Sequence, residues 1–206
     1  MIGDPIIISE KSKQNAKVIY ENLNDKSLIL IGGCSGTQKS ETGECLQELL
    51  LKNKKQSLLF SLDDYYLVCR SIRDYNRKKQ GIDCVGLKEI DWQMIFRIIE
   101  DFNDNKPIHF QRYHRYCDLI EHNVLESTDI DYLIFEGLFA NYLRKTHKDN
   151  LSVYLDGNPS QTFEFRTMRG KEIASDNFRK SVVQKEFNVV TQLKRFTDLV
   201  IPYENN

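Results

Sequence analysis

The stretch LILIGGCSGTQKS, residues 28–40, decides how this chain is expected to fold. Residues 28–32 are a short apolar run ending in glycine, which suits a strand buried on both faces, as in a parallel sheet. Residues 40–52, SETGECLQELLLK, are predicted as a helix, because Leu46, Leu49 and Leu50 fall on one side at helical spacing. The joining loop, Gly33-Cys34-Ser35-Gly36-Thr37-Gln38-Lys39-Ser40, approximates G-x-x-x-x-G-K-[ST] in the strand-to-helix context where that pattern cradles phosphates. Gly33 and Gly36 let the backbone bend so that amide N–H groups point at phosphate oxygens, and the helix N-terminus favours an anion. Lys39 is placed to reach the β- and γ-phosphates, and Ser40 to ligate Mg²⁺. The residues expected to hold the nucleotide are these eight together with Glu41. Gln38 departs from the pattern, which has glycine there. If the position needs a backbone conformation that glycine adopts most easily, Gln38 carries a cost, and its side chain crowds the phosphate. The alternative is a glycine-rich turn with an incidental Lys-Ser.

Working outward, apolar runs recur at residues 57–62 (SLLFSL), 132–136 (YLIFE), 151–155 (LSVYL) and 198–202 (DLVIP). Residues 88–102 form the clearest helical pattern, with Trp92, Ile95, Phe96, Ile99 and Phe102 on one face. Residues 159–196 are a charged helical stretch, and 63–86 are expected to be a long loop or mixed region. Residues 11–23 suit a polar, weakly amphipathic helix within an N-terminal extension, 1–26, packed on the domain. Strands alternating with helices indicate an α/β fold with a largely parallel sheet.

Composition narrows the function. The chain has 206 residues, enough for one domain with a real core. It is 40% hydrophobic and 29% charged, with a net charge of −1, so the strong basic excess of a duplex-binding protein is missing. Five cysteines without a C-x-x-C pair argue against a disulfide framework and a standard zinc site. The N-terminal apolar run is too short for a signal sequence, and no stretch approaches membrane-spanning length. A cytoplasmic protein with reduced thiols is expected, with no membrane partner. The oligomeric state, monomer or homo-oligomer, stays open.

In open α/β sheets, ligands bind beyond the carboxyl ends of the strands. Asp63 and Asp64 follow one apolar run and Glu136 closes another. Asp63 is the candidate base for an attacking hydroxyl. Glu136 resembles an acid that acts on Mg²⁺ or its water shell. The bland alternatives are a solvated acidic turn and a helix-capping acid. The cluster Arg112-Tyr113-His114-Arg115-Tyr116 reads equally as a stacking and phosphate-binding surface or as an ordinary hairpin.

The segments GGCSGTQKS, FSLDDYYL, VGLKEIDWQMI, FQRYHRY, YLIFEGLFANY, FRTMRGKE and TDLVIP occur in an order that resembles the uridine kinase and phosphoribulokinase branch of P-loop kinases, most of all its uridine kinase-like members. The resemblance covers residues 27–203. It implies a P-loop NTPase three-layer αβα sandwich around a five-stranded parallel sheet, with a lid around residues 164–180. It implies ATP, Mg²⁺ and phosphorylation of a hydroxyl on a nucleoside or sugar-like small molecule, with nucleic acid not expected. Matched by position, Asp63, Lys39 and Arg169 would be catalytic. Arg166 and Arg169 would hold ATP phosphates from the lid. Asp63, Tyr66, Asp83, Tyr113 and Arg115 would face the substrate, and Ser40 and Glu136 the metal. Gln38 keeps a second expectation open, a nucleotide-binding protein with weak or no kinase activity.

Overall fold

In the computed structural model of the chain, the described residues are 2–23, 27–170 and 176–203. In chain order the elements are α1 (Glu10–Glu21), β1 (Leu28–Gly33), α2 (Lys39–Lys52), β2 (Ser57–Ser61), α3 (Arg70–Gln80), α4 (Trp92–Asn103), β3 (Ile108–Tyr113), β4 (Ile120–Leu125), β5 (Tyr132–Glu136), β6 (Leu151–Asp156), α5 (Phe163–Met168), α6 (Asn177–Leu193) and β7 (Leu199–Pro202).

Five strands form one parallel sheet in the order β2–β5–β1–β6–β7. The apolar runs predict these strands correctly: β1, β5 and β6 are buried on both faces, whereas the edge strand β7 is half exposed. Along β1, Leu28 and Leu30 face one side, with Phe60, Phe135, Ile95 and Val190; Ile29 and Ile31 face the other, with Leu46, Leu50 and Ile134. Strand alternation thus divides one continuous apolar run between two cores. α4 and α6 cover the first, and α1 and α2 the second.

α1 therefore contributes to the second core, where Ala16 and Ile19 are fully buried. It begins at Ser9, whose hydroxyl accepts from the Ser12 N–H at 3.1 Å, while the Ser12 hydroxyl accepts from the Ser9 N–H at 3.0 Å. This reciprocal pair satisfies amides that a helix start leaves over.

The region 63–86, expected to be a loop or mixed segment, contains α3 between short 3₁₀ turns. β3 and β4 form an antiparallel hairpin outside the main sheet. Arg112 Nη2 donates to the Leu59 carbonyl at 2.8 Å, and the Tyr113 N–H donates to Asp64 Oδ1 at 2.9 Å, tying the hairpin to the end of β2. The lid expected around 164–180 includes α5 and the start of α6, and its residues 171–175 lie outside the described residues. Among the described residues no helix is long and apolar enough to cross a membrane.

Candidate active site

β1, β2 and β5 deliver their carboxyl ends to one cavity, the position expected for an open α/β sheet. Ser35, Gly36, Gln38, Lys39 and Ser40 line it from the β1–α2 loop, Asp63 from the end of β2, and Glu136 from the end of β5. Gly33, Cys34, Thr37 and Glu41 lie behind this surface rather than on it.

The loop glycines are required by their neighbours. Gly33 has φ 143°, and a Cβ there would stand 2.4 Å from the Leu155 carbonyl oxygen. Gly36 has φ 85°, and its Cβ would meet the Arg166 Cγ at 2.7 Å. Gln38 sits at φ 64° and ψ 35°, in the left-handed region. The cost foreseen from its mismatch with glycine is thus a feature of the fold, since an L side chain there is disfavoured by about 1–2 kcal/mol. Its side chain is engaged, however. Gln38 Oε1 accepts from the Ser9 hydroxyl at 2.5 Å.

Lys39 Nζ donates to the Cys34 carbonyl at 2.7 Å, arching over the loop. The first amides of α2 have no intrahelical acceptor, so loop, helix end and ammonium together supply the donor set a polyphosphate needs. Burial raises the Cys34 thiol pKa against the pull of Lys39 and Arg166, so this thiol packs rather than reacts.

Glu136 is buried, and burial raises its pKa; the nearby Asp63 charge raises it further, while a Ser61 hydrogen bond and Lys39 oppose the rise. A carboxylate held this way is relieved by a cation. Glu136 and Ser40 both line the cavity and offer hard oxygens of the kind Mg²⁺ accepts, so the residue types fit that ion.

Arg166 packs its stem on Gly36. Its Nη1 donates to the Thr162 hydroxyl at 2.5 Å and to the Pro159 carbonyl at 3.0 Å, and lies 3.5 Å from the Ser35 carbonyl. Arg169 is equally enclosed. Its Nη1 lies 3.3 Å from Glu41 Oε1, its Nη2 is 2.6 Å from Asp4 Oδ2, and its Nε donates to the Pro5 carbonyl at 3.0 Å. Arg115 also pairs with Asp4. Glu41 is fully buried, and Arg169 pairs with it.

Tyr66 also lines the cavity and carries the Arg73 guanidinium 3.5 Å above its ring. Tyr113 lines it too. The Tyr113 hydroxyl donates to Asp118 and accepts from the Arg70 N–H at 3.2 Å, and the Ser71 hydroxyl holds the other Asp118 oxygen at 2.8 Å. Asp83 is the exception among the predicted substrate residues. Its side chain is 93% exposed and paired with Lys185 at 2.9 Å, and it does not line the cavity. Asp4 and Arg73 line the cavity without having been picked out of the sequence. Asp4 carries no local signal, and Arg73 lies in the stretch 63–86 that is expected to be a long loop or mixed region.

The sequence profile of the Phosphoribulokinase / Uridine kinase family matches residues 28–202, which includes every strand of the main sheet. The chain belongs to this family. A uridine kinase of Ureaplasma urealyticum serovar 10 is 21% identical over 179 residues, covering 85% of each chain. Two solved family folds superpose well. A possible uridine kinase from Bacillus stearothermophilus has a TM-score of 0.60 at 17% identity, over 93% of this chain and 97% of that one. Phosphoribulokinase from Rhodobacter spheroides has a TM-score of 0.61 at 10% identity, over 85% of this chain and 70% of that one. At these identities the likeness is one of fold, and the family match makes the chain a member of a P-loop kinase family.

Proposed function

We propose that this chain transfers the γ-phosphoryl group of ATP to a hydroxyl of a nucleoside or related sugar-like small molecule. The convergence of Lys39, Asp63 and Glu136 on one cavity, from the ends of three neighbouring strands, carries this reading. Asp63 accepts the proton of the acceptor hydroxyl as its oxygen bonds to the γ-phosphorus. The bond from that phosphorus to the β–γ bridging oxygen breaks, and ADP leaves with the electron pair. Lys39 and the loop amides steady the phosphate charge through the transfer. Ser40 and Glu136 are the residues that would hold Mg²⁺, which would supply positive charge to offset that of the phosphates.

Tyr66 and Tyr113 offer the acceptor aromatic and hydroxyl surface, and Arg73 adds a cation at the same end. The test is to incubate the protein with ATP, Mg²⁺ and a panel of nucleosides and sugars, beside Lys39→Ala. Product from one acceptor class that disappears in Lys39→Ala supports transfer. No product with any acceptor, and nucleotide binding untouched by Lys39→Ala, would sink it.

A second reading rests on the left-handed Gln38 and its bond to Ser9: the loop binds nucleotide and turns it over weakly. Measurable ATP binding without turnover, with activity appearing in Gln38→Gly, favours that alternative.

A further inference from the structure

Residues 2–9 pass beside the cavity, which Asp4 lines, and are fastened at three points. Ile2 bridges to His114 at the edge of the β3–β4 hairpin, with the Ile2 N–H donating to the Tyr113 carbonyl at 2.8 Å and the Arg115 N–H to the Ile2 carbonyl at 2.9 Å. Asp4 lines the cavity and places its two carboxylate oxygens on Arg115 and Arg169, all three side chains being no more than 8% exposed. Ser9 donates to Gln38.

Two nearly buried guanidiniums that converge on one carboxylate form an anion site, because each needs a compensating charge once water is excluded. Asp4 fills that site from within the chain. The Pro5 carbonyl takes the Arg169 Nε, and buried Glu41 keeps an oxygen 3.3 Å from its Nη1, so Asp4 is the one of the two carboxylates on Arg169 that lines the cavity. At the far end, the fastening depends on the one loop residue that departs from the glycine pattern, since a glycine at 38 would have no side chain to accept from Ser9.

We propose that residues 2–9 are an autoinhibitory latch, in which Asp4 occupies the Arg115–Arg169 anion site in cis and Ser9–Gln38 clamps the strap to the phosphate loop, so that a polyphosphate anion must displace Asp4 to engage Arg169. The inference rests on the reading that this cavity receives the nucleotide phosphates. The latch lowers apparent anion affinity by the fraction of molecules in which the strap is open. Gln38 then has a use that accounts for its left-handed backbone: it trades loop relaxation for control of the strap.

The experiment titrates wild type, Asp4→Asn and Gln38→Gly with inorganic tripolyphosphate by calorimetry. Hydrogen exchange at the Ile2 and Arg115 amides is followed in the same samples. Asp4→Asn is expected to bind tripolyphosphate about tenfold more tightly than wild type, with Gln38→Gly moving the same way. Both amides lose protection in ligand-free Asp4→Asn, and in wild type once tripolyphosphate saturates. Equal or weaker binding by both variants, no binding by any of the three proteins, or amides that stay protected in saturated wild type each overturn the latch. Gln38→Gly keeps the test decisive if Asp4→Asn does not fold. Turnover separates this inference from phosphotransfer. Activity with unchanged anion affinity in the variants removes the latch alone, whereas strap release without turnover on any acceptor removes the kinase reading alone.

Discussion

The sheet and the cavity at its carboxyl edge are built by opposite rules. In the sheet, Leu30, Ile31, Ile134 and Phe135 are fully buried and apolar, and each is held by shape. At the cavity, many of the buried side chains are charged and are held by specific partners. Arg77 makes two 2.7 Å bonds to Glu89 and lies 3.3 Å from Glu186; Arg169 is shared between Asp4 and Glu41. Apolar burial tolerates neighbours of the right size, whereas a buried charge is costly unless its partner is present. The sheet therefore supplies stability, and the cavity supplies constraints that a ligand or a substitution alters selectively.

That division can be broken in four ways, in falling order of effect. Phe135 stacks on Phe60 with ring centroids 5.2 Å apart, and Phe135→Ala should cost about 3–5 kcal/mol in denaturant unfolding. A loss below about 1 kcal/mol would mean that the sheet core is not the main source of stability. Asp63→Asn should cut turnover about a hundredfold or more while leaving the fold no less stable, because it removes a charge that disfavours ionised Glu136. A clear drop in melting temperature would place Asp63 among the structural groups instead.

Glu136 sharpens the contrast through pH. Its folded pKa lies above the ordinary value of 4.5, chiefly because of burial, so the folded chain holds this proton more tightly than the unfolded chain. Ionised Glu136 thus weakens the fold above its folded pKa, and this penalty fades as pH falls toward 4.5. Glu136→Gln is expected to be the more stable protein at neutral pH, with an advantage that shrinks on acidification. Melting curves that show no advantage, or one independent of pH, contradict this account. The smallest effect joins the two regions. Ser9→Ala and Gln38→Gly should couple by about 1 kcal/mol in a double-mutant cycle on stability, the net worth of one hydrogen bond. Strict additivity would disconnect α1 from the phosphate loop.

The same contrast explains what could be read before the structure. β1 and β5 are legible because strands buried on both faces must be written as continuous apolar runs. α4 is legible because Ile95 and Ile99 recur at helical spacing, and both are buried as that spacing requires. α3 was hidden because it has no apolar face to show. Ile72 and Tyr75 are exposed, and the buried residue is Arg77, whose anchors Glu89 and Glu186 lie 12 and 109 positions away. Charge pairing over such separations leaves no period in the sequence. The loop and the acids at the strand ends could be located because each sits beside an apolar run. Asp4 could not, since its importance comes from where Arg115 and Arg169 arrive in space. Asp83 shows the converse: a position in a motif does not by itself fix which way a side chain faces.

The bond between Asp4 and Arg169 spans 165 positions, and it has a consequence for how the chain assembles. The β3–β4 hairpin pairs locally and can form early, whereas β1 must wait for β5 and β6 before either neighbour exists. During synthesis, the strap and its anchors at Gln38 and Arg115 emerge long before Arg169, so the Asp4–Arg169 pair is among the last contacts to be completed. A nascent chain that ends short of residue 169 lacks that pair. Each molecule should therefore pass once through a stage in which Asp4 has yet to meet the second of its two arginines.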